Sequence, residues 1–231
     1  MKCWIPLITL FLTFQTQAQT FRIGLIDSGL NLLDTRLTAH ICPRGHHDFT
    51  GEGLSDTNGH GTAMAGLIEQ YAGKADYCLV IYKYYSVVSS GPVNLKHEVE
   101  ALIQAGEDKV QIVNISSSGP DFSEDEYLAM KNNTAATFVV AAGNEGRDVD
   151  IQGNESYPAC YYLENEIVVE NVDESKQRAS SSNYGKKIKT VEMGINVPVL
   201  AIGSGYSLMT GTSVSTAIHT GKLVRKVLSG N

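Results

Sequence analysis

The chain has 231 residues, of which 42% are hydrophobic and 19% charged, a composition typical of one globular domain with a full core. Its formal net charge is -7 and its basic residues form no block, which excludes a protein that binds nucleic acid by general charge attraction. These numbers favour a globular protein with a partner other than nucleic acid.

The N-terminal segment, residues 1–18, is predicted to be a secretory signal peptide. Lys2 precedes an apolar run over residues 3–14, which is shorter than the roughly 20 residues that span a bilayer. Residues 16–18 (TQA) resemble a cleavage site with small residues. We expect residues 19–231 to form the mature domain without a pro-domain, secreted or periplasmic, and away from the membrane once the signal is removed. An anchor that stays attached is the less favoured alternative.

Beyond this segment, strand-like and helical patterns alternate along the chain. The predicted strands are residues 21–26, 77–85, 110–115, 137–142, 166–169 and 197–202, and the predicted helices are residues 60–70, 95–105, 124–132 and 212–228. This alternation predicts an α/β fold with a mainly parallel sheet, and the near-continuous apolar strands predict helices on both of its faces. In such sheets, ligands bind beyond the carboxyl ends of the strands.

Four short segments carry side chains suited to nucleophilic catalysis. Asp27 follows the first predicted strand in LIDSG, His60 lies in NGHGT, Asn144 lies in AAGNEG and Ser213 lies in GTSVST. A serine nucleophile needs a base, an acid that orients the base, and donors for the developing oxyanion. Each residue alone also has an ordinary explanation, as a turn residue, a packed histidine or a helix cap.

Together, the four segments resemble the signature blocks of the subtilisin-like serine proteases, in that family's chain order of Asp, His and Ser. The resemblance extends over residues 21–228 and includes VNISSSGP at residues 113–120. It implies a three-layer α/β/α fold. It also implies that Ser213 is the nucleophile, that His60 is the general base, that Asp27 orients His60 and that Asn144 completes the oxyanion hole.

The same resemblance implies which residues contact the substrate. Three serines would bind the substrate backbone as an added β-strand, and a second segment would form a wall of the pocket for the P1 side chain. These residues are Ser116, Ser117 and Ser118 in the first group, and Ala141, Ala142 and Gly143 in the second. Glu145 would lie at the rim of that pocket, where its charge would favour a basic or polar P1 residue. For Glu145, however, a solvated surface acid is the favoured interpretation.

The chain departs from the family pattern at several positions. Ala63 replaces a histidine near His60, and Ser118 replaces a glycine. In the serine block, Val214, Ser215 and Ala217 replace Met, Ala and Pro. None of these changes removes a group of the triad.

Metal and cofactor chemistry has little support in the sequence. The segment between the predicted helix at residues 60–70 and the strand at residues 77–85 is short, so the calcium-binding loop of the family is expected to be absent. Calcium stays open as an alternative, but no acidic cluster offers six to eight oxygens. We therefore expect no cofactor and little effect of EDTA on stability. His46, His47 and Asp48 are consecutive, and consecutive residues rarely share one coordination sphere. The mature cysteines, Cys42, Cys78 and Cys160, allow one disulfide whose pairing stays open.

The favoured function is an exported, monomeric serine endopeptidase that hydrolyses peptide or protein substrates through an acyl-enzyme. Two alternatives stay open. One is a non-catalytic relative that binds peptide strands in the same cleft, and the other is a transpeptidase that passes the acyl group to an amine.

Overall fold

The computed structural model describes residues 20–31, 33–38 and 40–230, so the predicted signal peptide lies outside the described residues. Among them are nine strands and five helices. These are β1 (Phe21–Asp27), α1 (Thr35–Thr38), β2 (His47–Asp48), α2 (His60–Ala72), β3 (Tyr77–Lys83), α3 (Gly91–Glu107), β4 (Ile112–Ile115), α4 (Glu124–Asn132), β5 (Thr137–Ala141), β6 (Glu166–Val172), β7 (Thr190–Met193), β8 (Val197–Leu200), β9 (Tyr206–Met209) and α5 (Thr212–Ser229).

The centre of the molecule is a seven-stranded sheet in the order β2-β3-β1-β4-β5-β6-β7. Every pairing within it is parallel, whereas β8 and β9 form a separate antiparallel hairpin. Ile23 and Leu25 of β1 pack with α2 and α5 on one face, and Ile26 packs with α3 and α4 on the other. The predicted three-layer α/β/α fold with a mainly parallel sheet is confirmed.

All ten predicted elements are present, α4 with the predicted bounds and the other nine with at least one shifted end. Helix α3 begins at Gly91, four residues before the prediction, because Ser90 is extended and Pro92 fits the first helical turn. The predictions missed α1, β2, β7 and β9. Strand β9 is mostly exposed, so it lacks the alternation that marks a half-buried strand.

The parallel sheet brings the ends of several strands to one edge. β1 ends at Asp27, β4 ends just before Ser116, and β5 ends just before Ala142. Helix α2 begins next to the end of β1, since a Cβ atom on Gly61 would collide with the backbone oxygen of Gly29. The candidate residues therefore meet at the carboxyl edge of the sheet, as expected for this fold class.

The structure also settles the cysteine pairing that the sequence left open. Cys42 and Cys78 form a disulfide, with their Cα atoms 4.9 Å apart. Cys160 is a half-buried free thiol. In the described part of the chain, no helix is long and apolar enough to cross a membrane.

Candidate active site

Asp27 and His60 form a hydrogen-bonded pair at the carboxyl end of β1. Nδ1 of His60, the first residue of α2, lies 2.8 Å from Oδ1 and 2.9 Å from Oδ2 of Asp27. Asp27 is only 5% exposed, and its Oδ1 also accepts a bond from the Ser28 backbone N–H. The carboxylate charge raises the pKa of His60 above its ordinary value of 6.5, although burial opposes this. The pair has the geometry of an acid that orients a base.

A second acid, Asp56, fixes the start of α2. Its Oδ1 accepts bonds from the Ser28 hydroxyl at 3.0 Å and the Gly59 N–H at 2.8 Å. Its Oδ2 accepts from the Thr62 N–H at 2.9 Å and the Thr62 hydroxyl at 2.6 Å. Asp56 therefore ties the first turn of α2 to the loop after β1 and so holds His60 in place. Sequence analysis missed it, although an acid just before a helix start is a capping signal.

Ser213 lies in the first turn of α5 and is bonded to the segment after β4. Its hydroxyl donates to the Ser116 carbonyl oxygen at 2.8 Å, and the Ser116 hydroxyl donates to the Ser213 carbonyl oxygen at 3.1 Å. Among the described residues, the ring of His60 bonds to Asp27 and not to Ser213. The Ser213 hydroxyl is therefore directed toward Ser116 in this structure. Catalytic bonds are often unformed in a protein without substrate.

Asn144 is held so that its amide nitrogen is available. Its Oδ1 accepts bonds from the Thr212 N–H at 2.8 Å and the Thr212 hydroxyl at 3.1 Å. Near the start of α5, the Ser215 N–H bonds back to the Gly211 carbonyl, whereas the Ser213 N–H comes earlier in the first turn, where helices leave N–H groups free. The Asn144 Nδ2 group and the Ser213 N–H are thus two donors near the start of α5 of the kind that stabilises an oxyanion. Sequence analysis did not single out Thr212.

The three serines after β4 differ in exposure and in bonding. Ser116 is buried, Ser117 is half-buried and Ser118 is exposed. The Ser117 hydroxyl donates to Oε1 of Glu98 at 2.9 Å. Residues 116–118 continue from a strand, so their backbone is suited to bind an added peptide strand.

A cavity of about 250 Å³ lies between this segment and the histidine. Its walls include His60, Tyr84, Ser116 and Ser117. The segment and His60 are therefore parts of one cleft.

The second wall, predicted at residues 141–143, is made mostly of backbone. Ala141 and Ala142 are 1% and 0% exposed, so their methyl groups pack in the core. Gly143 has a φ of 102°, which favours glycine. Glu145 is exposed, and its Oε2 accepts a bond from Asn183 Nδ2 at 2.6 Å. A Cβ atom on Gly143 would lie 2.8 Å from that same oxygen, so the carboxylate is held close to this wall.

The histidines considered for metal binding have other partners. His46 bonds through its ring to the Cys42 carbonyl oxygen and the Ile81 N–H, and Nε2 of His47 lies 3.4 Å from Asp108. Within the described ranges, no group of three or more His, Cys, Asp or Glu side chains is arranged to hold a metal ion.

Known proteins share both the sequence and the fold of this chain. A profile of the subtilase family matches residues 18–226. Subtilisin Savinase from Lederbergia lenta is 32% identical over 206 residues, covering 84% of this chain and 74% of that protein. An intracellular serine protease from Paenibacillus polymyxa is 29% identical, covering 90% of this chain and 67% of that protein. The chain spans about half, 52%, of an alkaline protease from Shouchella clausii, to which it is 32% identical.

Solved structures show the same fold at lower identity. A lanthipeptide protease matches with a TM-score of 0.78 at 22% identity, covering 91% of this chain and 73% of that structure. A cold adapted subtilisin-like serine proteinase matches with a TM-score of 0.76 at 23% identity, covering 91% of this chain and 76% of that structure. These two likenesses bear on the fold alone.

The chain belongs to the subtilase family. The predictions of a subtilisin-like fold and of a subtilisin-like serine protease that acts on peptide or protein substrates are confirmed at the level of family and enzyme class.

Proposed function

We propose that the protein is an exported serine endopeptidase that works through Asp27, His60 and Ser213. The observation that carries this proposal is the Asp27–His60 pair, in which one buried carboxylate holds Nδ1 of the ring with both oxygens. This leaves the other ring nitrogen, Nε2, to act as the base. Asn144 and the N-terminus of α5 supply the hydrogen-bond donors that stabilise the oxyanion.

Catalysis then follows from the bonds already described. The Ser213 hydroxyl leaves the Ser116 carbonyl, gives its proton to Nε2 of His60 and attacks the substrate carbonyl carbon. The developing oxyanion accepts bonds from Asn144 Nδ2 and the Ser213 N–H. The imidazolium, stabilised by Asp27, gives the proton to the leaving amine. Water, activated by the same base, hydrolyses the acyl-enzyme.

The substrate extends along residues 116–118 as an added strand, and its P1 side chain points toward the wall at residues 141–143. The Glu145 carboxylate supports a preference for a basic or polar P1 residue, since Asn183 holds it beside Gly143. A P1 peptide library tests this preference. We expect Glu145→Gln to reduce cleavage after Lys and Arg several-fold more than cleavage after Leu, and equal effects on both classes would remove Glu145 from specificity.

Export and a mature domain over residues 19–231 form part of the proposal. The Cys42–Cys78 disulfide supports them, because such bonds persist mainly in oxidising compartments. Relatives include an intracellular protease, so family membership alone does not decide the compartment. N-terminal sequencing of the protein recovered outside the cytoplasm tests this point. We expect a mature N-terminus at Gln19, and an intact Met1 on cytoplasmic protein would contradict export.

One observation favours a second candidate, a non-catalytic protein that binds peptide strands. The Ser213 hydroxyl is bonded to Ser116 and not to His60, so the nucleophile is not activated in this arrangement. The two candidates differ in whether Ser213 reacts with an acylating or phosphonylating probe.

The test is labelling with a fluorophosphonate probe. We expect the wild-type chain to be labelled at Ser213, and the Ser213→Ala and His60→Ala variants to remain unlabelled. Ser207→Ala changes an exposed serine of β9 and serves as the matched control, with labelling equal to wild type. A folded wild-type chain that takes no label would support the non-catalytic candidate. Product analysis with an added amine then separates hydrolysis from transpeptidation.

A further inference from the structure

Two glutamates that the mechanism does not use are buried on the helices next to the proposed peptide-binding segment, and one of them, Glu98, contacts it. Glu98 on α3 is 7% exposed, and Glu126 on α4 is 2% exposed. The Ser117 hydroxyl donates to Oε1 of Glu98 at 2.9 Å, and the Tyr161 hydroxyl donates to Oε2 of Glu126 at 2.6 Å. Neither carboxyl takes part in any ion pair formed within the described residues. Acids buried without a cation are costly and call for an explanation.

The groups around Glu98 disfavour a negative charge on it. Burial raises its pKa, and the charges of Glu126 from α4 and Asp27 from β1 raise the pKa further. Burial also raises the pKa of Glu126. The other titratable groups near the pair are Tyr84 after β3, Tyr161 before β6 and Glu166 in β6, whose pKa values are raised as well. Near neutral pH, the two glutamates therefore keep a proton that exposed glutamates would lose.

The peptide-binding segment is anchored to this cluster at two points. Ser117 is bonded through its side chain to Glu98, and Gly119 exchanges two backbone bonds with Tyr157, at 2.8 and 2.7 Å. The rings of Tyr157 and Tyr161 lie 5.0 Å apart, which connects the second anchor to the partner of Glu126. Of the backbone that the proposed function assigns to substrate, Ser117 carries the first anchor and Ser118 lies between the two anchors.

We propose that Glu98 is a positioning residue that holds the peptide-binding segment in place through Ser117, and that Glu126 supports it from α4. This inference rests on the proposed function, because it assigns a role to residues behind the proposed substrate strand. Glu98 acts through Ser117 and does not touch the substrate. Its effect is therefore on the binding of extended peptides, and it is small for substrates too short to reach the segment.

Three variants separate positioning from charge. Glu98→Ala removes the acceptor of Ser117, whereas Glu98→Gln keeps an acceptor oxygen and removes only the titration. Glu107→Gln, at the exposed end of α3, makes the same change of charge elsewhere on the helix. KM and kcat are measured for an extended peptide and for a small nitrophenyl ester, and fluorophosphonate labelling of each variant reports the triad.

We expect Glu98→Ala to raise KM for the extended peptide about five- to tenfold, as for the loss of one bond to a buried carboxyl. Its KM for the ester, its labelling rate and its kcat should stay within about twofold of wild type. The KM of Glu98→Gln for the extended peptide should match the wild-type value at neutral pH. The KM of Glu107→Gln should match it at every pH. Unchanged peptide KM in Glu98→Ala, or an equal loss with the ester, would overturn the proposal.

The pH profile gives a readout that a purely structural role would not move. In the wild type, ionisation of Glu98 at alkaline pH strengthens its bond from Ser117 but also brings its charge against those of Glu126 and Asp27. We expect this repulsion to be the larger effect, so that the segment loosens and KM for the extended peptide rises. Glu98→Gln should abolish this alkaline rise, and a rise that persists in it would count against Glu98. If the wild type takes no label, the proposed function fails, and the same comparison is made with the Kd of the extended peptide. Equal Kd values for wild type and Glu98→Ala would then overturn the positioning role.

Discussion

The two faces of the central sheet are packed by different means. Between α2 and α5 the packing is close, since a Cβ atom on Gly221 would lie 2.6 Å from the backbone oxygen of Ile68. Between the sheet and α3–α4 the packing includes buried acids, with Glu98 and Glu126 behind the segment after β4. Near the end of α3, a Cβ atom on Gly106 would meet only the side chain of Asn133, at 3.3 Å.

This difference in packing matches the two roles that we propose for the two faces, one for the reacting groups and one for peptide binding. His60 begins α2 and Ser213 lies in the first turn of α5, so the reacting groups are carried by the closely packed helices. Residues 116–118 rest against the face that carries Glu98 and Glu126. The geometry of the reacting groups is thus fixed by packing, whereas the peptide-binding segment rests on groups that titrate.

The largest expected effect comes from the acid of the proposed triad. Asp27→Asn replaces a carboxylate that accepts from Nδ1 by an amide that also donates, so the His60 tautomer is disturbed. We expect kcat to fall about 10⁴-fold, which steady-state kinetics measures.

The pH profile of the wild type tests the same pair. The rate should rise as pH increases through the pKa of His60, which Asp27 raises above 6.5, because only the neutral ring acts as a base. Steady-state kinetics at several pH values measures this rise.

The control for Asp27→Asn is Asp76→Asn, which alters an exposed carboxylate before β3 and should leave the rate unchanged. Retention of a tenth or more of the wild-type rate by Asp27→Asn would contradict the proposed role of Asp27.

The next largest effect is on stability and tests the α3–α4 side of the sheet, where the disulfide lies. The Cys42–Cys78 bridge closes a loop with a sequence separation of 36 residues. For that separation, its removal is expected to cost about 4 kcal/mol, because the unfolded chain regains conformational freedom. Urea unfolding of Cys42→Ala/Cys78→Ala measures this loss. Cys160→Ala should lower the free energy of unfolding far less. Equal losses in the two variants would show that the disulfide contributes no more to stability than an unpaired cysteine side chain.

The sequence predicted the fold and the neighbourhood of the site better than it predicted the bonds within the site. Strand ends are set by apolar runs, and a parallel sheet brings those ends together, so Asp27 and Ser116 could be expected at one edge. The bond between Ser213 and Ser116 could not be predicted, because their 97-residue separation is bridged only by the packing of α5 against the sheet.

Some missed residues did carry a signal in the sequence. In α3, the buried positions are Asn94, Glu98, Ala101, Leu102 and Ala105, a helical stripe that faces the core. A glutamate within such a stripe marks a buried acid that needs a partner. The cysteine pairing had no comparable signal, because any pair of the three cysteines was compatible with the chain alone.

A third prediction concerns the pH dependence of unfolding, which should arise mainly from the α3–α4 face. Glu98 and Glu126 keep a proton in the folded state that the unfolded chain loses above about pH 4.3. The folded state binds more protons there, so stability should fall as pH rises from about 5 toward 8. The raised pKa of His60 acts in the same direction, since its contribution is lost as pH rises through that pKa. Each proton retained over two pH units gives a loss on the order of 3 kcal/mol, and Glu166, whose pKa burial also raises, acts in the same direction.

Urea unfolding of the wild type, Glu98→Gln and Glu107→Gln at several pH values measures this loss. The decrease in the free energy of unfolding with rising pH should become smaller in Glu98→Gln and should persist in Glu107→Gln. A wild-type stability that is constant or rises between pH 5 and 8 would show that the buried pair is ionised in the folded state.

The smallest effect compares the two faces directly through a pair of helical glycines. Gly221→Ala in α5 places a methyl group against the backbone of α2, which cannot move without shifting the helix, so a loss of about 2 kcal/mol is expected. Gly106→Ala in α3 meets only the Asn133 side chain, which can turn aside, and the better helix propensity of alanine should give a gain of up to about 1 kcal/mol. Urea unfolding of both variants at one pH gives the comparison. Equal changes in the free energy of unfolding at the two positions would mean that the α2–α5 contact accommodates a methyl group as easily as the α3–α4 side does. Packing alone would then not fix the positions of His60 and Ser213.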